Sequence, residues 1–401
     1  MMKRNLSNRE VLLGVTGSIA AYKACDIASR LTKLGIPVTP ALTHSAAQLV
    51  CPASFEAITG SRAITAMFEP SPNPEIGHIA VATRAALFLI APATANILAK
   101  AANGIADDWL ATALLATRAP VLFAPAMNTN MYLHPATQAN IETLRERGCH
   151  FIGPDEGALA CGTQGPGRMT EPAFVVEAAL PLLDPREDLK GTHVVVTSGG
   201  TREPIDPVRY IGNRSSGRMG RAIAFEALCR GARVTVVSGP AATPLPCAAD
   251  VVEVETAAEM ATACRSLAPE ADIFIAAAAV ADYGVEAALK NKHKRASGPL
   301  DLHLTENPDI LAAVAQARKP GQLVVGFAAE TEEMIAHGQA KLASKNLDLV
   351  VANLVGQPGS GFGTDTTLAA LICADRVDEL PPMSKEDLAE KLFDRITALR
   401  A

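Results

Sequence analysis

The stretch EVLLGVTGSIAAYKACDIASRLTKLG, residues 10–35, combines the two patterns that decide the fold of this chain. Its first part is a continuous apolar run without polar alternation, which is typical of a strand buried on both faces of a sheet. The part that follows predicts a helix over residues 19–34, and Gly35 provides its stop signal. A buried strand followed by a helix is the repeating unit of a parallel α/β sheet.

The same alternation continues along the chain and restarts once. The first half has further buried strands at PVTPALT (37–43), AALFLIAP (85–92) and PVLFAP (120–125). The second half predicts a helix over 217–230, a last helix near 384–399, and strands at THVVVTS (192–198), ARVTVVSG (232–239), ADIFIAAAAV (271–280), QLVVGFAAE (322–330), LDLVVAN (347–353) and LAALICA (368–374). The fold class is therefore α/β, with two doubly wound, mostly parallel-sheet domains of Rossmann-like type.

The domain boundary is predicted near residue 186. The segment PLLDPREDLKG (181–191) is rich in proline and charge and has no apolar period, as expected for a linker. This gives domains 1–186 and 187–401. A chain of 401 residues agrees with two domains, because single cores rarely grow beyond roughly 250–300 residues.

Composition narrows the classes of function. A net charge of -6 argues against a nucleic-acid partner, since phosphate backbones require a clustered basic face, and the run KNKHKR (290–295) is too short to provide one. The start MMKRNLSNRE contains no apolar segment of a signal peptide, and no later run is long enough for a membrane span. The eight cysteines form no CxxC pair, so we expect a soluble protein of a reducing, cytoplasmic compartment.

In the first half, polar residues follow the buried strands. Gly17 and Ser18 stand between a strand and a helix N-terminus, where backbone N–H groups can bind a phosphate. The loop is not GxGxxG, so a mononucleotide is at least as plausible as a dinucleotide, and a tight turn without ligand is the alternative. Thr94 and Asn96 in APATAN (91–96) and Asn128 in PAMN (125–128) lie at the carboxyl edge of the sheet, where such folds bind ligands.

Two further residues of this half are chemically suggestive. His78 lies between apolar residues in IGHI (76–79), a setting that suits a structural histidine as well as a base. Cys161 lies in ACGTQGPGRM (160–169), a glycine-rich stretch that predicts an accessible loop, with neither helix nor strand. An exposed thiol of this kind is placed for chemistry, although a loop that merely carries a small residue remains the alternative.

Taken together, GVTGSIAAYK, IGHI, APATAN, PAMN and ACGTQGPGRM resemble the FMN-dependent cysteine decarboxylases, most closely those that act on phosphopantothenoylcysteine in coenzyme A synthesis. The resemblance implies a flavodoxin-like domain in which His78 is the base of the first half-reaction, Asn128 binds the substrate carboxylate and Cys161 donates the final proton. It also implies contacts to FMN from Gly17, Ser18, Thr43, Thr94 and Asn96, and to substrate from Met127 and Arg168.

The chemistry explains why this family needs such a set. Loss of CO2 from a cysteine-derived carboxylate leaves a carbanion, unless the thiol has first been oxidised to a thioaldehyde that accepts the electrons. The enethiolate that results must then be reduced and protonated. A proton donor on a flap that closes over the substrate and excludes water suits that last step.

The second half contains a more specialised run, VTSGGTREPIDPVRYIGNRSSGRMG (196–220). Gly199 and Gly200 follow a strand and can allow a nucleotide to approach the backbone. Ser215 and Ser216 open a helix, which one of them is expected to cap and where they could also hold a phosphate. Lys341 and Lys345 lie four residues apart on one helical face, which by itself also fits a solvated surface.

In order along the chain, these segments resemble the phosphopantothenate–cysteine ligase that is fused to the decarboxylase in many bacteria. The resemblance implies that CTP, with Mg²⁺ or a similar divalent ion, activates phosphopantothenate as an acyl-cytidylate, which the amine of cysteine then attacks. Asn213 would handle the activated intermediate and Lys292 would neutralise developing phosphate charge. The CTP contacts implied are Asp282, Asn307, Pro308, Asp309, Ile310, Phe327, Lys341 and Lys345.

The chain departs from the ligase pattern at a few places: no proline follows Tyr283, and Leu354, Thr367 and Arg218 stand where an acid, an asparagine and a lysine are usual. A chain with one decayed site is therefore one alternative. An NAD(P)-dependent oxidoreductase is another, but no suitably placed GxGxxG loop supports it. A non-enzymatic regulatory subunit is the third, although it would need neither Cys161 nor a second domain.

The sequence leaves the metal ligands and the choice of CTP over ATP undetermined. The family resemblance implies a homo-oligomer, with the flavin site built between neighbouring subunits. Trimers of decarboxylase domains joined by dimers of ligase domains would give a dodecamer.

Overall fold

The fold was analysed in a computed structural model of the chain, which describes residues 6–67, 77–159, 162, 164–294, 300–355 and 366–400. The chain divides into two compact units, with the division between Asp184 and Pro185. Each unit contains its own sheet, parallel in the first unit and mostly parallel in the second, and its own hydrophobic cores. The α/β class predicted from the sequence is confirmed.

The first unit is built on a five-stranded sheet in the order β2-β1-β3-β4-β5, and all the described pairings in it are parallel. A separate antiparallel hairpin, β6–β7, follows it along the chain. The strands are β1 (Val11–Val15), β2 (Val38–Leu42), β3 (Leu87–Ala93), β4 (Val121–Pro125), β5 (His150–Phe151), β6 (Asp155–Ala158) and β7 (Gln164–Arg168).

Helices cover both faces of this sheet, as expected for a doubly wound fold. They are α1 (Lys23–Lys33), α2 (His44–Ala47), α3 (Pro52–Thr59), α4 (Gly77–Arg84), α5 (Ala95–Asn103), α6 (Trp109–Ala116), α7 (Thr129–Leu133), α8 (Pro135–Glu146) and α9 (Pro172–Leu183).

The continuous apolar strands are explained by two cores of the first unit. Val11 and Leu13 of β1 point into one core, which α1 and α9 also enter. Leu12, between them, points into the opposite core together with residues of α5, α6 and α8. Because successive side chains of a strand point to opposite faces, a strand buried on both faces must be apolar at every position.

The stretch that predicted the first helix contains two helical segments. A 3-10 turn over Ile19–Tyr22 comes first, capped by the Ser18 side chain, and α1 follows it directly. Arg30 and Lys33 lie in the last turn of α1, where cations complement the helix dipole. Gly35 has a φ of 76° and ends the helix as predicted.

The second unit contains a nine-stranded sheet in the order β12-β11-β8-β13-β16-β17-β18-β19, with β20 paired to β18. Pairing is parallel from β12 to β17 and antiparallel beyond it. The strands of the unit are β8 (His193–Ser198), β9 (Glu203–Pro204), β10 (Tyr210–Ile211), β11 (Arg233–Ser238), β12 (Asp250–Glu253), β13 (Ile273–Ala276), β14 (Tyr283–Val285), β15 (Leu304–Glu306), β16 (Leu323–Glu330), β17 (Leu349–Leu354), β18 (Thr366–Ile372), β19 (Val377–Glu379) and β20 (Met383–Ser384).

The central order of this sheet is that of the Rossmann fold, because β8 lies in the middle with later strands on both sides. Two short antiparallel hairpins, β9–β10 and β14–β15, lie outside the sheet. The helices are α10 (Arg218–Cys229), α11 (Ala257–Leu267), α12 (Ile310–Gln316), α13 (Met334–Ser344) and α14 (Lys385–Arg400).

Two local predictions are wrong. The segment 181–191 is not linker throughout, because α9 continues to Leu183, where apolar side chains pack into the core despite Pro181 inside the helix. The glycine-rich stretch 160–169 is not free of regular structure either, because residues 164–168 form β7, paired with β6. Gly165 and Gly167, at alternate positions of β7, allow this strand to pack closely against Met127 and Thr129.

A buried charged cluster ties the last helix to the core of the second unit. The side chain of Arg230 is 2% exposed, and its guanidinium is 2.8 Å from Glu226, 2.9 Å from Asp188 and 2.6 Å from Asp394. Glu226 is fully buried beside it on α10, whereas Asp394 lies on α14. The cluster therefore joins α10, α14 and the segment before β8 through one cation.

We expect Arg230→Met to destabilise the second unit by about 3–5 kcal/mol, because it leaves the buried Glu226 carboxylate without its closest cation. Urea unfolding followed by far-UV circular dichroism measures the loss. Trp109, the single tryptophan of the chain, is buried in the first unit, so its fluorescence transition should remain in place. The double variant Arg230→Met/Glu226→Leu should recover much of the loss. A shift of less than about 1 kcal/mol in the single variant would contradict the assignment.

Candidate functional site

In the first unit, three hydroxyl side chains lie where parallel strands end. Ser18 follows β1, Thr43 follows β2 and Thr94 follows β3. Each side-chain oxygen accepts a backbone N–H at the start of the next helical segment, from Ala20, Ala46 and Ile97 respectively. Because a capping hydroxyl only accepts in that bond, each keeps its own hydrogen as a donor for a ligand at this edge.

These loops are bound to one another. The Thr16 hydroxyl donates to Pro92 O at 2.7 Å and accepts from Thr94 N at 3.1 Å, which joins the loops after β1 and β3. A Cβ on Gly17 would lie 2.5 Å from Ser45 Cβ, so the loop after β1 packs against α2 without space for a side chain. The strand order reverses between β1 and β3, and such switch points are the usual ligand sites of open α/β sheets.

The residues present at this edge fit a phosphorylated cofactor such as FMN. They supply a side-chain-free loop at Gly17, hydroxyl donors at Ser18, Thr43 and Thr94, and an exposed amide at Asn96 in the first turn of α5. Phosphate and sugar-like hydroxyl groups are recognised by donors of these kinds. The five residues predicted to contact the cofactor therefore lie at one edge of one sheet.

Next to this edge, the segment Met127–Thr129 lies under strand β7. Met127 N donates to Gly167 O at 2.9 Å, and Asn128 caps α7 through its side-chain oxygen, which accepts from Asn130 N at 2.8 Å. A Cβ on Gly167 would lie 2.2 Å from Met127 O, and one on Gly165 would lie 2.9 Å from the Thr129 side chain. The two glycines thus allow β7 to lie directly on the backbone around Asn128.

Strand β7 is also fixed by charge at its carboxyl end. Arg168 forms an ion pair with Glu171, and Lys23 Nζ lies 3.0 Å from the same carboxylate and 3.2 Å from Met169 O. Lys23 first, and Arg168 with it, lower the pKa of Glu171 below its usual value. Arg168, predicted to contact substrate, therefore has a carboxylate partner in this structure.

The two remaining predicted residues of the first unit are His78 and Cys161. His78 lies in the first turn of α4, but its side chain is outside the described part of the structure. Cys161 lies outside the described residues, within the connection between β6 and β7. Their predicted roles as base and proton donor stay predictions.

The second unit has a cavity of about 760 Å³ at the carboxyl ends of β8, β13 and β16. It lies at the reversal of strand order around β8, the expected ligand site of this topology. Of the residues predicted for this half, eleven line it: Asn213, Ser215, Ser216, Asp282, Asn307, Pro308, Asp309, Ile310, Phe327, Lys341 and Lys345.

Two amide side chains are fixed at the wall of this cavity by the segment after β13. Asn213 Nδ2 donates to Val280 O at 2.8 Å, and Asn307 Nδ2 donates to Ala281 O at 2.9 Å. The segment itself is held by Thr197 and Thr201, whose hydroxyls accept from Ala278 N and Ala281 N. These side-chain acceptors alternate with one main-chain bond, from Ala279 N to Gly199 O at 2.8 Å, so the predicted strand 271–280 ends at Ala276 as a regular strand.

Two lysines on or beside α13 give the cavity its cationic side. Lys341 Nζ donates to Phe327 O at 2.6 Å, and burial is the main cause that lowers its pKa, with the neighbouring Lys345 charge adding to the effect. Lys345 Nζ lies 2.8 Å from Asp309, which caps α12. Burial opposes ionisation of Asp309, but Lys345 lowers its pKa below the usual value.

The start of α10 differs from the prediction that a serine caps it. The N-cap residue is Gly217, with a φ of 75° and no side-chain cap, and Ser215 Oγ accepts from Gly217 N instead. Arg218, Met219 and Gly220 of the first turn line the cavity. The backbone N–H groups of a twelve-residue helix therefore begin at the cavity wall without a side-chain cap, an arrangement that favours an anion.

Three predicted residues do not line the cavity. Gly199 and Gly200 face protein backbone, since a Cβ on Gly199 would lie 2.4 Å from Gly239 O and one on Gly200 would lie 3.1 Å from Asn213 O. Their missing side chains thus allow loops to approach one another behind the cavity. Lys292 is exposed in the segment after β14 and is not among the lining residues.

Several lining residues were not predicted. Lys385 is 9% exposed at the first position of α14, and Asn353, Thr367 and Arg214 share the wall with it. No short motif marks Lys385, because a lysine at the start of an amphipathic helix ordinarily reads as a solvated residue. The antiparallel β18–β20 pairing, which joins Thr366 to Ser384, ends directly before this helix start.

Within the described residues, no set of three or more His, Cys, Asp or Glu side chains is arranged to hold a metal ion. None of the helices described is both long and apolar enough to span a bilayer.

Comparisons with known proteins cover both units. Residues 1–183 match the family model "Flavoprotein", and residues 189–399 match the model "DNA/pantothenate metabolism flavoprotein C-terminal domain". The chain is 44% identical over 398 residues to the coenzyme A biosynthesis bifunctional protein CoaBC of Bacillus subtilis, covering 98% of each chain. It is 42% identical over 395 residues to the protein of the same name from Escherichia coli, covering 98% of this chain and 97% of the relative.

Two solved structures each cover part of this chain. The C-terminal domain of a CoaBC protein covers 53% of this chain and 97% of its own, at 34% identity and a TM-score of 0.46. The FMN-dependent cysteine decarboxylase SpaF covers 43% of this chain and 99% of its own, at 34% identity and a TM-score of 0.38.

We expect Gly167→Ala to lower decarboxylation, the reaction implied for the first unit, by about 100-fold, because an added Cβ displaces β7 from the backbone beside Asn128. Release of CO2 from phosphopantothenoylcysteine measures the effect, and flavin absorbance reports whether cofactor stays bound. Gly157→Ala in β6 is the matched control, since its Cβ would lie at an ordinary 3.5 Å from Arg168. Equal activities of the two variants would contradict the packing argument.

The lowered pKa of Lys341 predicts that a triphosphate bound in this cavity is accompanied by proton uptake at alkaline pH. A triphosphate favours the charged ammonium, so the Lys341 pKa should rise on binding. Between the lower pKa of the free protein and the higher pKa of the complex, binding adds a proton and the affinity for the triphosphate falls as pH increases. Titration calorimetry in two buffers of different ionisation enthalpy measures this uptake. Lys341→Met should abolish it, and unchanged uptake in that variant would exclude Lys341 as its source.

Proposed function

Because this chain belongs to the family of coenzyme A biosynthesis bifunctional proteins, we propose that it joins 4'-phosphopantothenate to L-cysteine and then decarboxylates the product to 4'-phosphopantetheine. The second unit would perform the ligation with CTP, through an acyl-cytidylate, and the first unit would perform the decarboxylation with FMN. The support that carries the proposal is the match to CoaBC proteins over 98% of the chain, which includes both units.

For the first unit, the edge formed by Gly17, Ser18, Thr43, Thr94 and Asn96 is proposed to bind FMN, which supplies the oxidation and re-reduction of the substrate thiol. Asn128, held by its cap to α7, would orient the substrate carboxylate with Met127 beside it. Strand β7 would cover the substrate and exclude water, and Arg168 would exchange its Glu171 partner for a substrate anion. His78 is the proposed base and Cys161 the proposed proton donor.

For the second unit, the cavity is proposed to bind CTP and phosphopantothenate side by side. The cavity volume of about 760 Å³ is compatible with these ligands, since pockets of roughly 300–1,000 Å³ enclose small-molecule ligands. Lys341, Lys345 and the first turn of α10 would neutralise the phosphates. Asn213 would position the activated carboxyl group for attack by the cysteine amine, and Lys292 would stabilise the pyrophosphate as it leaves.

Three further points remain part of the proposal. Mg²⁺ would enter with the CTP phosphates, which supply part of its octahedral ligand set and leave the rest to water and carboxylates. A homo-oligomer of trimeric decarboxylase and dimeric ligase parts, up to a dodecamer, is testable by sedimentation velocity. A cytoplasmic location is proposed because the eight cysteines form no CxxC pair.

The proposed decarboxylation makes a spectroscopic prediction for Cys161→Ser. Phosphopantothenoylcysteine should bleach the flavin bands of this variant and leave them bleached, because oxidation of the substrate proceeds while protonation of the enethiolate fails. Flavin bands that never change would disprove the role of Cys161. Absence of flavin from both the variant and the parent protein would disprove the assignment of the first unit.

Single substitutions should abolish one activity and leave the other intact. Asn213→Asp should abolish CMP formation from CTP, phosphopantothenate and cysteine, while the same preparation still decarboxylates added phosphopantothenoylcysteine. Asn128→Asp should show the opposite pattern, since a second carboxylate repels that of the substrate. Loss of both activities in either single variant would contradict the division of labour between the units.

A further inference from the structure

An aspartate outside the cavity, Asp206, divides its two carboxylate oxygens between two tasks. It follows β9 in a tight turn, and its side chain is fully buried. Oδ1 accepts from Val208 N and from Arg209 N, both at 2.9 Å, and so closes its own turn. Oδ2 accepts from Arg209 Nε at 3.0 Å and from His293 N at 3.2 Å, and so reaches a distant segment of the chain.

That distant segment contains Lys292. His293 is held twice, because its N–H donates to Asp206 and its carbonyl oxygen accepts from Arg209 Nη2 at 2.8 Å. On the other side, Leu289 N donates to Ile205 O at 2.9 Å. The exposed residues 290–292 therefore form a three-residue loop whose two ends are fixed to one turn, residues 205–209.

The attachment is built to persist in water. The Arg209 guanidinium, followed by the backbone donors, holds the pKa of Asp206 far below its usual range, so the carboxylate is ionised wherever the protein is folded. Hydrogen bonds to an ionised acceptor are stronger than neutral ones. Solvent does not compete at the carboxylate, because the Asp206 side chain is fully covered.

We propose that Asp206, acting through Arg209 and the main chain of His293, is a positioning residue that sets the place of Lys292 in the ligase reaction. The inference rests on the proposed function, since it assigns Lys292 its role there. Without this attachment, the ammonium group of a lysine on an exposed loop would sample a wide volume. Placing it for reaction would then cost both side-chain and backbone conformational entropy at every turnover. Fixing both ends of the loop removes the backbone part of that cost.

Asp206→Asn tests the proposal with little other change. The retained carbonyl oxygen can still accept from Val208 N and Arg209 N, so the turn is preserved. The new amide group cannot accept from His293 N and carries no charge for Arg209. We expect kcat for CMP formation to fall about 10–100-fold with little change in the KM for CTP, because the cavity that binds the nucleotide is intact.

A second readout follows the loop without activity. Trypsin should cleave after Lys290 or Lys292 at least tenfold faster in Asp206→Asn than in the parent protein, with the sites identified by mass spectrometry. The matched control is Asp348→Asn. Asp348 accepts from Arg318 and from Val324 N, both at 2.8 Å, where β17 begins. The Asp348→Asn variant should be less stable than the parent protein, but trypsin should cleave it no faster at Lys290 and Lys292 and its kcat should be unchanged.

A mutant cycle separates failure of the inference from failure of the proposed function. If Asp206 acts through Lys292, Asp206→Asn should have little further effect on kcat in a Lys292→Gln background. Effects that simply add in the cycle, or unchanged cleavage in Asp206→Asn, would overturn the positioning role. Full ligase activity of Lys292→Gln alone would instead overturn the role proposed for Lys292, whatever the loop does.

Discussion

Parallel strand pairing is the constraint on which both units depend. When every strand runs the same way, all carboxyl ends meet at one edge, and each loop that leaves this edge must cross to one face or the other. At β1 and at β8 successive connections leave in opposite directions, so the loops diverge and a crevice opens between them. The candidate sites of both units occupy that place in their own sheets.

Beside each candidate site, glycines let backbone approach backbone closely. In the first unit, Gly167 lies on Met127 O, in the residue before Asn128, at a separation where a Cβ has no space. In the second unit, Gly200 lies against Asn213 O, where a Cβ would come within 3.1 Å. Glycine here serves precision of placement, because two segments in direct backbone contact can be positioned more rigidly than two separated by side chains.

The sequence allowed most of the sheet architecture to be predicted, because a strand buried on two faces is recognisable as an unbroken apolar run. It did not reveal β7, whose strand QGPGR lacks any apolar alternation and is stabilised by pairing with β6 and packing on Thr129. Nor did it reveal Asp206 or Lys385. The contribution of Asp206 depends on a partner 87 residues away, and the burial of Lys385 depends on an antiparallel pairing at the far end of the sheet. Local patterns do not contain such distant contacts.

The net charge of the chain does not predict the charge that lines the cavity of the second unit. The chain as a whole is acidic, with a net charge of -6, which argues against binding of long polyanions such as nucleic acids. The cavity of the second unit is nevertheless lined by five cationic residues, Arg214, Arg218, Lys341, Lys345 and Lys385, and by three acidic ones, Asp282, Glu306 and Asp309. The pairing of Asp309 with Lys345 removes one charge of each sign, so the lining keeps an excess of two positive charges. A small polyanion that fits inside such a cavity experiences this local field with little screening by salt, whereas a long polymer outside it meets the acidic surface. An acidic chain can therefore still contain a cavity whose local charge favours a small polyanion.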